Sequence, residues 1–253
     1  GIDWTYDFRD FSRLWVRARF SSRDQDTSDD STGVQKQYMT IDERADQAEV
    51  RYERSLFDYH LLTVGASYSD FEVDGLTTKS NPLFPDGQRV LDRLLHSSAY
   101  AEISWSLPHR LDLTTGLRWD DIDHEVLDPQ FGVTPETTDD FGSELLPRFR
   151  LGWKATDTLG LSLSAGSAFA APRPVFERVC CGALVLSNAN ARAEQSFNVI
   201  FDADWVPRPW VQLRATWFDR DVDDYVQKYV WFSFPNYIPS YQMVNYDNVQ
   251  IEG

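Results

Sequence analysis

The chain alternates apolar and polar side chains at every second residue, and it does so repeatedly along its length. In the clearest stretch, the apolar positions are Ala99, Ala101, Ile103, Trp105 and Leu107. The polar positions between them are Tyr100, Glu102, Ser104 and Ser106. Successive side chains of a β-strand point to opposite faces, so this spacing predicts a strand with one apolar and one polar face. A helical period is not sustained anywhere.

The same pattern predicts about eleven strands in all. The alternating stretches include residues 2–8, 13–20, 62–68, 99–107, 111–119, 149–153, 159–165, 197–205, 211–217 and 244–251. The connections between them alternate between very short and very long. Short turns are centred on Arg9-Asp10, Asp58-Tyr59, Pro108-His109-Arg110, Asp157-Thr158 and Pro207-Arg208-Pro209. Long loops are expected at roughly 21–46, 73–96, 124–144, 171–194 and 227–241.

The sorting of these connections distinguishes between kinds of β-protein. In an up-and-down meander, successive connections lie at opposite ends, so here all short turns share one end and all long loops the other. This is the pattern of an antiparallel transmembrane β-barrel, with short periplasmic turns and long extracellular loops. A soluble sandwich or lipocalin shows the strand alternation but has no reason to sort its loops this way.

Charged residues on the polar face assign the two faces. An arginine facing lipid near the bilayer centre costs about 2–4 kcal/mol, so the arginine rows are expected to face a wet lumen. These lumen-facing residues are Arg13, Arg17, Arg19, Arg148 and Arg150. Such a row attracts anionic ligands such as ferric chelates, or alternatively it pairs with lumen carboxylates, namely Glu49, Glu53, Glu102 and Asp202. Three tryptophans beside short turns, Trp153, Trp205 and Trp210, predict an aromatic girdle at the membrane interface.

The strand count predicts that the chain is a partial barrel. Bacterial single-chain barrels have even strand numbers, so eleven hairpin-linked strands would not close alone. Two open edges would leave unpaired backbone groups, which the lipid phase does not tolerate. We therefore expect residues 1–253 to be one partial outer-membrane barrel domain, with further strands in the parent protein.

Composition excludes two other classes. Aromatic residues make up 14% of the 253 residues, yet the mean hydropathy is −0.45, and no apolar run reaches the ~18 residues of a membrane helix. Helical membrane insertion is therefore excluded. The net charge of −16 argues against nucleic acid as a partner, because phosphate contacts need clustered lysine and arginine. The first ten residues lack the basic and apolar regions of a signal peptide.

The only two cysteines, Cys180 and Cys181, are adjacent and match no zinc spacing. They fall in a long loop predicted to be extracellular, where they either form a vicinal disulfide that contacts ligand or are simply structural. The candidate ligand-binding residues of that loop are Arg173, Phe176, Arg178, Cys180 and Cys181. An acidic run in another loop, comprising Asp24, Asp26, Asp29 and Asp30, could bind calcium or be a solvated surface; it does not match an EF-hand. We predict no metal site, no cofactor and no catalytic residue.

Several short motifs in the second half resemble TonB-dependent outer-membrane receptors. Residues 144–176 resemble a signature stretch of that family, with Pro147-Arg148, Thr156-Asp157 and the segment 168–172 at the corresponding places. Residues 190–196 resemble the family's "N-P-x-L-x-P-E-x-S" loop exit, and 210–226 resemble the strand that follows it. Residues 244–253 resemble its "y-x-N-v-x-x-a-x-i-x-G" strand. The chain departs from the pattern at Ala170, where the family has arginine, and at Ala193, where it has proline.

The resemblance implies a non-enzymatic receptor in the bacterial outer membrane. Extracellular loops would capture a scarce ligand, such as a ferric siderophore or another metal chelate, and energy-coupled movement of a plug would then admit it. The implied partners are membrane lipid and lipopolysaccharide, a small-molecule ligand, and the TonB complex, which acts through a plug region that this sequence does not include. A barrel that holds a plug needs around 22 strands, so the chain would supply about half.

Two other functions are compatible with an outer-membrane barrel of this sequence. Asp123-His124 and Asp223-Asp224 fall near the outer ends of strands, and in outer-membrane proteases resembling omptins such pairs activate a water molecule. Those barrels have ten strands. The other alternative is a passive, porin-like channel, whose parent protein would contain no plug.

Overall fold

The strands form one twelve-stranded sheet. The structure, a computed structural model, describes the chain except residues 11, 30–36, 58, 78–88, 128–137, 172–183, 187–191 and 234–237. The strands are β1 (Ile2–Asp7), β2 (Ser12–Asp29), β3 (Gln37–Leu56), β4 (His60–Thr77), β5 (Arg89–Leu107), β6 (Leu111–Leu127), β7 (Thr138–Lys154), β8 (Leu159–Ala170), β9 (Leu184–Leu186), β10 (Glu194–Arg208), β11 (Val211–Ser233) and β12 (Ile238–Glu252). A 3₁₀ turn at Pro108–Arg110 joins β5 to β6. In the described ranges, no helix has the length and apolar character needed to cross a membrane.

Eleven of the strands follow one another across the sheet in chain order, each antiparallel to the next. The exception is β9, which pairs in parallel with β12 at the far edge of the sheet. The expectation of about eleven up-and-down antiparallel strands is therefore confirmed. The short β9 was not predicted, because three residues are too few to show an alternation.

The register keeps each face uniform in character. In β4 to β6, Val64 pairs with Ala101 and Ala101 with Leu117, so apolar side chains form a row across the sheet. One position along, Thr63 pairs with Glu102 on the opposite face. A shift of one residue would exchange the two faces, so the alternating pattern fixes the register. We call the face that carries Glu102 the polar face, and the other the apolar face.

Among the described residues, nothing packs over the apolar face. Trp153 and Trp205 are each 46% exposed and Trp210 is 79% exposed, and all three lie beside short turns as expected of a girdle. The buried apolar residues in the described ranges are few: Val73, Ile122, Leu146, Ala193 and Val222. A soluble protein would cover such a wide apolar surface, whereas a hydrocarbon phase solvates it.

The short turns lie at one end, as the sequence predicted, and local hydrogen bonds shape them. The hydroxyl oxygen of Thr156 accepts hydrogen bonds from the backbone N–H groups of Thr158 (3.2 Å) and Leu159 (2.9 Å), which closes the turn between β7 and β8. Arg110 in the neighbouring turn bonds Asp157 at 2.5 Å.

The long loops are shorter than expected, and this part of the prediction was wrong. Residues 21–29 and 37–46, for example, continue β2 and β3 instead of forming a loop. The sequence misses these extensions because they lie beyond the apolar band, which ends near Phe20 and Tyr68 on the apolar face. Strands in water pair through their backbones without needing an apolar side, so the alternation disappears although the strands continue.

Candidate functional site

The polar face carries the arginines expected in the lumen, and ion pairs join three of these five, Arg13, Arg17 and Arg148, to carboxylates on other strands. On β2, Arg13 contacts Asp7 at 2.5 Å and Arg17 contacts Asp3 at 2.7 Å, both on β1. Arg19 shares their face. Since the partners are on β1, these two arginines do not use the carboxylates of β3 that the sequence suggested.

Further along the sheet, the carboxylates expected as partners are used. Arg148 of β7 pairs with Glu102 of β5, across β6, and Gly116 on β6 leaves room for the arginine chain at the crossing. Glu53 pairs with Arg51 at 3.2 Å. Asp202 instead accepts a hydrogen bond from Thr216 at 2.6 Å. Pairing between arginines and the expected carboxylates is therefore found for some residues of the polar face and not for others.

Two neighbouring cavities on the polar face differ in charge. The first, of about 410 Å³, is lined by three glutamates and three arginines, so its charges balance. The second, of about 590 Å³, is lined by Glu102, Arg148 and Arg150, together with the hydroxyls of Ser104, Thr114, Ser164 and Ser167 and the amide of Asn198. Glu102 already pairs with Arg148. None of the described residues forms an ion pair with Arg150. The second cavity therefore has one uncompensated positive charge.

Farther from the short turns, the buried carboxylate of Asp120 contacts two other side chains on the polar face. The side chain of Asp120 is 6% exposed, accepts a hydrogen bond from Arg118 Nε at 2.7 Å and lies 3.1 Å from His96 Nε2. Beside it, the hydroxyls of Ser67 and Ser98 are 2.6 Å apart. These contacts join β4, β5 and β6 through their side chains, and sequence alternation gave no sign of them.

The five candidate ligand-binding residues of the β8–β10 connection, Arg173, Phe176, Arg178, Cys180 and Cys181, lie outside the described residues. Their contribution to ligand binding stays a prediction. Asp30 of the acidic run also lies outside the described residues.

The described part of the acidic run is strand and not a calcium loop. Asp24 and Asp26 lie on β2, opposite Asp42 and Thr40 of β3. Asp26 accepts a hydrogen bond from Thr40 at 3.0 Å. Across the described ranges, no three metal-ligating side chains come together.

The Asp-His pair and the Asp-Asp pair of the protease hypothesis do not lie close together. Asp123-His124 lies on β6 and Asp223-Asp224 on β11, with β7, β8 and β10 between them in the sheet. Four strand spacings of about 4.8 Å along the sheet are too far for a shared water molecule. His124 is buried and stacks on Phe141, with ring centroids 5.5 Å apart. The geometry therefore gives no support to a peptidase.

Comparison with known families decides the class. The family described as "TonB dependent receptor-like, beta-barrel" matches residues 1–253. The chain belongs to this TonB-dependent receptor family. The predicted outer-membrane location and non-enzymatic class are thereby confirmed, since the family consists of outer-membrane receptors for transport.

Solved structures of TonB-dependent receptors share the fold. The copper transporter OprC aligns over 96% of this chain with a TM-score of 0.74 at 17% identity, and the match covers 39% of OprC. The apoprotein form of the FrpB iron transporter from Neisseria meningitidis aligns over 99% with a TM-score of 0.73 at 18% identity, covering 40% of FrpB. A mutant of the ferric enterobactin receptor PfeA from Pseudomonas aeruginosa, bound to enterobactin, aligns over 96% with a TM-score of 0.59 at 18% identity, covering 38% of it.

The chain thus spans about two fifths of the length of these structures. Identities this low show the fold alone. Among proteins of curated function, none gives a significant sequence match.

Proposed function

We propose that the chain is a barrel segment of an outer-membrane receptor that takes up a scarce metal chelate, such as a ferric siderophore, by energy-coupled transport. The family match over residues 1–253 carries this proposal. In the parent receptor, further strands would close the barrel, and a plug region would connect it to the TonB complex. The chain itself supplies part of the wall and part of the ligand surface.

The polar face is the side that we assign to the lumen. Its arginines and carboxylates would be unfavourable against hydrocarbon, whereas the apolar face exposes tryptophan and leucine at many positions. On this assignment, Arg13, Arg17, Arg19, Arg148 and Arg150 line the passage.

The choice of an anionic chelate as ligand is supported by the uncompensated Arg150. It lies in a cavity lined by hydroxyl and amide groups, which bind oxygen-rich ligands through hydrogen bonds, while the guanidinium attracts negative charge. The neighbouring cavity has balanced charges and offers no such preference.

Uptake by whole cells tests the proposal. The parent receptor would be expressed in a strain without its own siderophore receptors, and uptake of radioactive iron as ferric enterobactin, ferric citrate and haem, and of radioactive copper, would be measured. We expect uptake of at least one of these probes, and its loss in an otherwise identical strain without TonB. Equal uptake in both strains would indicate a passive channel, and no uptake of any probe would contradict a metal-chelate receptor.

A further inference from the structure

The segment that leads into β10 is held by a side chain of β12 and by the first side chain of β10. The backbone N–H of Arg192 donates to Asn245 Oδ1 at 2.9 Å, and Asn245 Nδ2 donates to the backbone oxygen of Arg192 at 2.9 Å. The side chain of Asn245 therefore bonds Arg192 through both a donor and an acceptor, as a neighbouring strand would. Two residues later, Glu194 begins β10.

This contact requires the segment to cross a strand. Asn245 lies on β12 and Glu194 on β10, and β11 separates these two strands in the sheet. Residues 192 and 193 must therefore pass over β11. Val222 of β11 is 1% exposed and Ala193 is 7% exposed, although most of the sheet's side chains are open to solvent.

The crossing is on the polar face. Asn245 is on the same side of β12 as Val249, which pairs with Val222, and Val222 pairs with Ser196 of β10. Ser196 in turn shares its side with Glu194, two residues away. Both side chains that hold the segment thus project from the face that we assign to the lumen.

The backbone of β11 is irregular where residues 192 and 193 cross it. The β10–β11 pairing ends at Gln195 and Asp223, so the next backbone groups of β11 have no partner on β10. Asp224 has a positive φ of 52°, its backbone oxygen accepts a hydrogen bond from Asn245 Nδ2 at 2.7 Å, and the N–H of Val226 donates to Glu194 Oε1 at 2.6 Å. Side chains thereby satisfy backbone groups that would otherwise be unpaired.

A second contact ties the same connection to β12. Leu184–Leu186 forms β9, which pairs with residues 240–242 of β12. The β8–β10 connection, residues 171–193, is therefore attached to β12 at two places, although it begins and ends two to three strands away.

We propose that Asn245 and Glu194 are positioning residues that strap Arg192 and Ala193, the last residues before β10, across β11 on the lumen side of the barrel wall. The proposal rests on the proposed function, because that function assigns the polar face to the passage. Through the strap, residues 192 and 193 are held over β11, where a ligand entering the passage would meet them. Arg192, whose side chain is 74% exposed, is thereby placed on the lumen side.

Hydrogen–deuterium exchange in the intact receptor, purified in detergent, tests the strap without a ligand. Local opening controls the exchange, so Asn245→Ala is expected to speed exchange of the Arg192 amide and of peptides over 184–194 by about tenfold or more. Asn245→Asp keeps an acceptor for the Arg192 N–H, but it turns a carboxylate oxygen toward the backbone oxygens of Arg192 and Asp224, so its effect should be at least as large as that of alanine. Asn248→Ala is the matched control, since Asn248 lies on the same strand and bonds only Asp223, at 3.0 Å.

Glu194 gives an independent variant. Glu194→Ala is expected to speed exchange of the Val226 amide, and Glu194→Gln, which keeps an acceptor oxygen, should restore slow exchange. Unchanged exchange at 184–194 and at Val226 in both alanine variants would overturn the strap. So would an equal effect of Asn248→Ala. Either result would leave the uptake experiment unaffected, because exchange is measured without ligand, so the two proposals fail separately.

Discussion

Tyr100 reaches across an entire strand to donate a hydrogen bond from its phenolic oxygen to Glu49 Oε1, at 3.1 Å. The strand between them is β4, where Gly65 lies opposite Tyr100 and beneath its ring. A Cβ atom at Gly65 would be 2.5 Å from both Cζ and Oη of Tyr100 and 2.8 Å from the backbone oxygen of Val50. The glycine is thus what allows the tyrosine to lie flat on the polar face.

Gly65→Ala is therefore expected to destabilise the barrel. The added methyl group displaces the Tyr100 ring and presses on the backbone of β3, and overpacking of this kind costs about 1–3 kcal/mol. Urea unfolding of the intact receptor in detergent measures the loss. Gly152→Ala is the control, because its Cβ would meet nothing closer than 3.7 Å. Equal stability of the two variants would show that the Tyr100 contact is unimportant.

Asp120→Ala is expected to destabilise the sheet around the middle of β6. The substitution removes the acceptor of Arg118 and the partner of His96, and leaving such donors without a partner costs about 1–3 kcal/mol. Asp112→Ala serves as the comparison, since Asp112 is exposed and accepts only one hydrogen bond, of 3.3 Å, from Ser106. Its unfolding free energy should change by about 0.5 kcal/mol or less. If both variants unfold alike, the buried cluster contributes nothing.

Asp70 and Arg93 lie beyond the apolar band, and their ion pair predicts an acid dependence of stability. Two hydrogen bonds, of 2.9 and 2.6 Å, join them, and the Arg93 guanidinium lowers the pKa of the Asp70 carboxyl below its ordinary value of 3.8. Because the pKa of Asp70 is lowered in the folded state, the ion pair contributes its full share to the unfolding free energy at pH values above the ordinary pKa of 3.8. That contribution is lost as the pH falls through the folded-state pKa.

The corresponding measurement is the unfolding free energy of wild type and Asp70→Asn at neutral pH and near pH 3. Wild type should lose more stability on acidification than the variant does. Asp42→Asn, an exposed position on β3, should behave like wild type. An unchanged acid dependence in Asp70→Asn would contradict the role of this pair.

Arg148 and Arg150 lie two residues apart on one strand and are expected to respond differently to substitution. Arg148→Ala leaves Glu102 without its partner and should reduce barrel stability more than Arg150→Ala does. Arg150→Ala removes the uncompensated charge of its cavity, so it should raise the half-saturation concentration for uptake of an anionic chelate with little effect on unfolding. If the chelate is taken up equally well without Arg150, this cavity does not attract the ligand.

The sequence predicted the strands that cross the membrane because each of them must be apolar on one side and polar on the other. The alternation from Ala99 to Leu107 is visible in the sequence itself. The same reasoning failed for 21–29 and 37–46, where β2 and β3 continue in water and nothing requires alternation.

The site was less accessible to sequence reasoning because it depends on contacts between distant residues. The strap joins Arg192 to Asn245, 53 positions apart, and the Tyr100–Glu49 bond spans 51. The motifs around Glu194 and Asn245 did stand out as family-like, but a pattern alone does not show that the two side chains hold one segment.

Spin-label accessibility along β7 tests most directly whether the polar face lines the passage and the apolar face contacts lipid. Single nitroxide labels would be placed at Phe149, Arg150, Leu151 and Gly152 of the intact receptor, after Cys180→Ser and Cys181→Ser, in lipid bilayers. Oxygen concentrates in the hydrocarbon phase, so we expect high oxygen accessibility at 149 and 151 and low accessibility at 150 and 152. A uniform profile, or high accessibility at 150 and 152, would contradict the account.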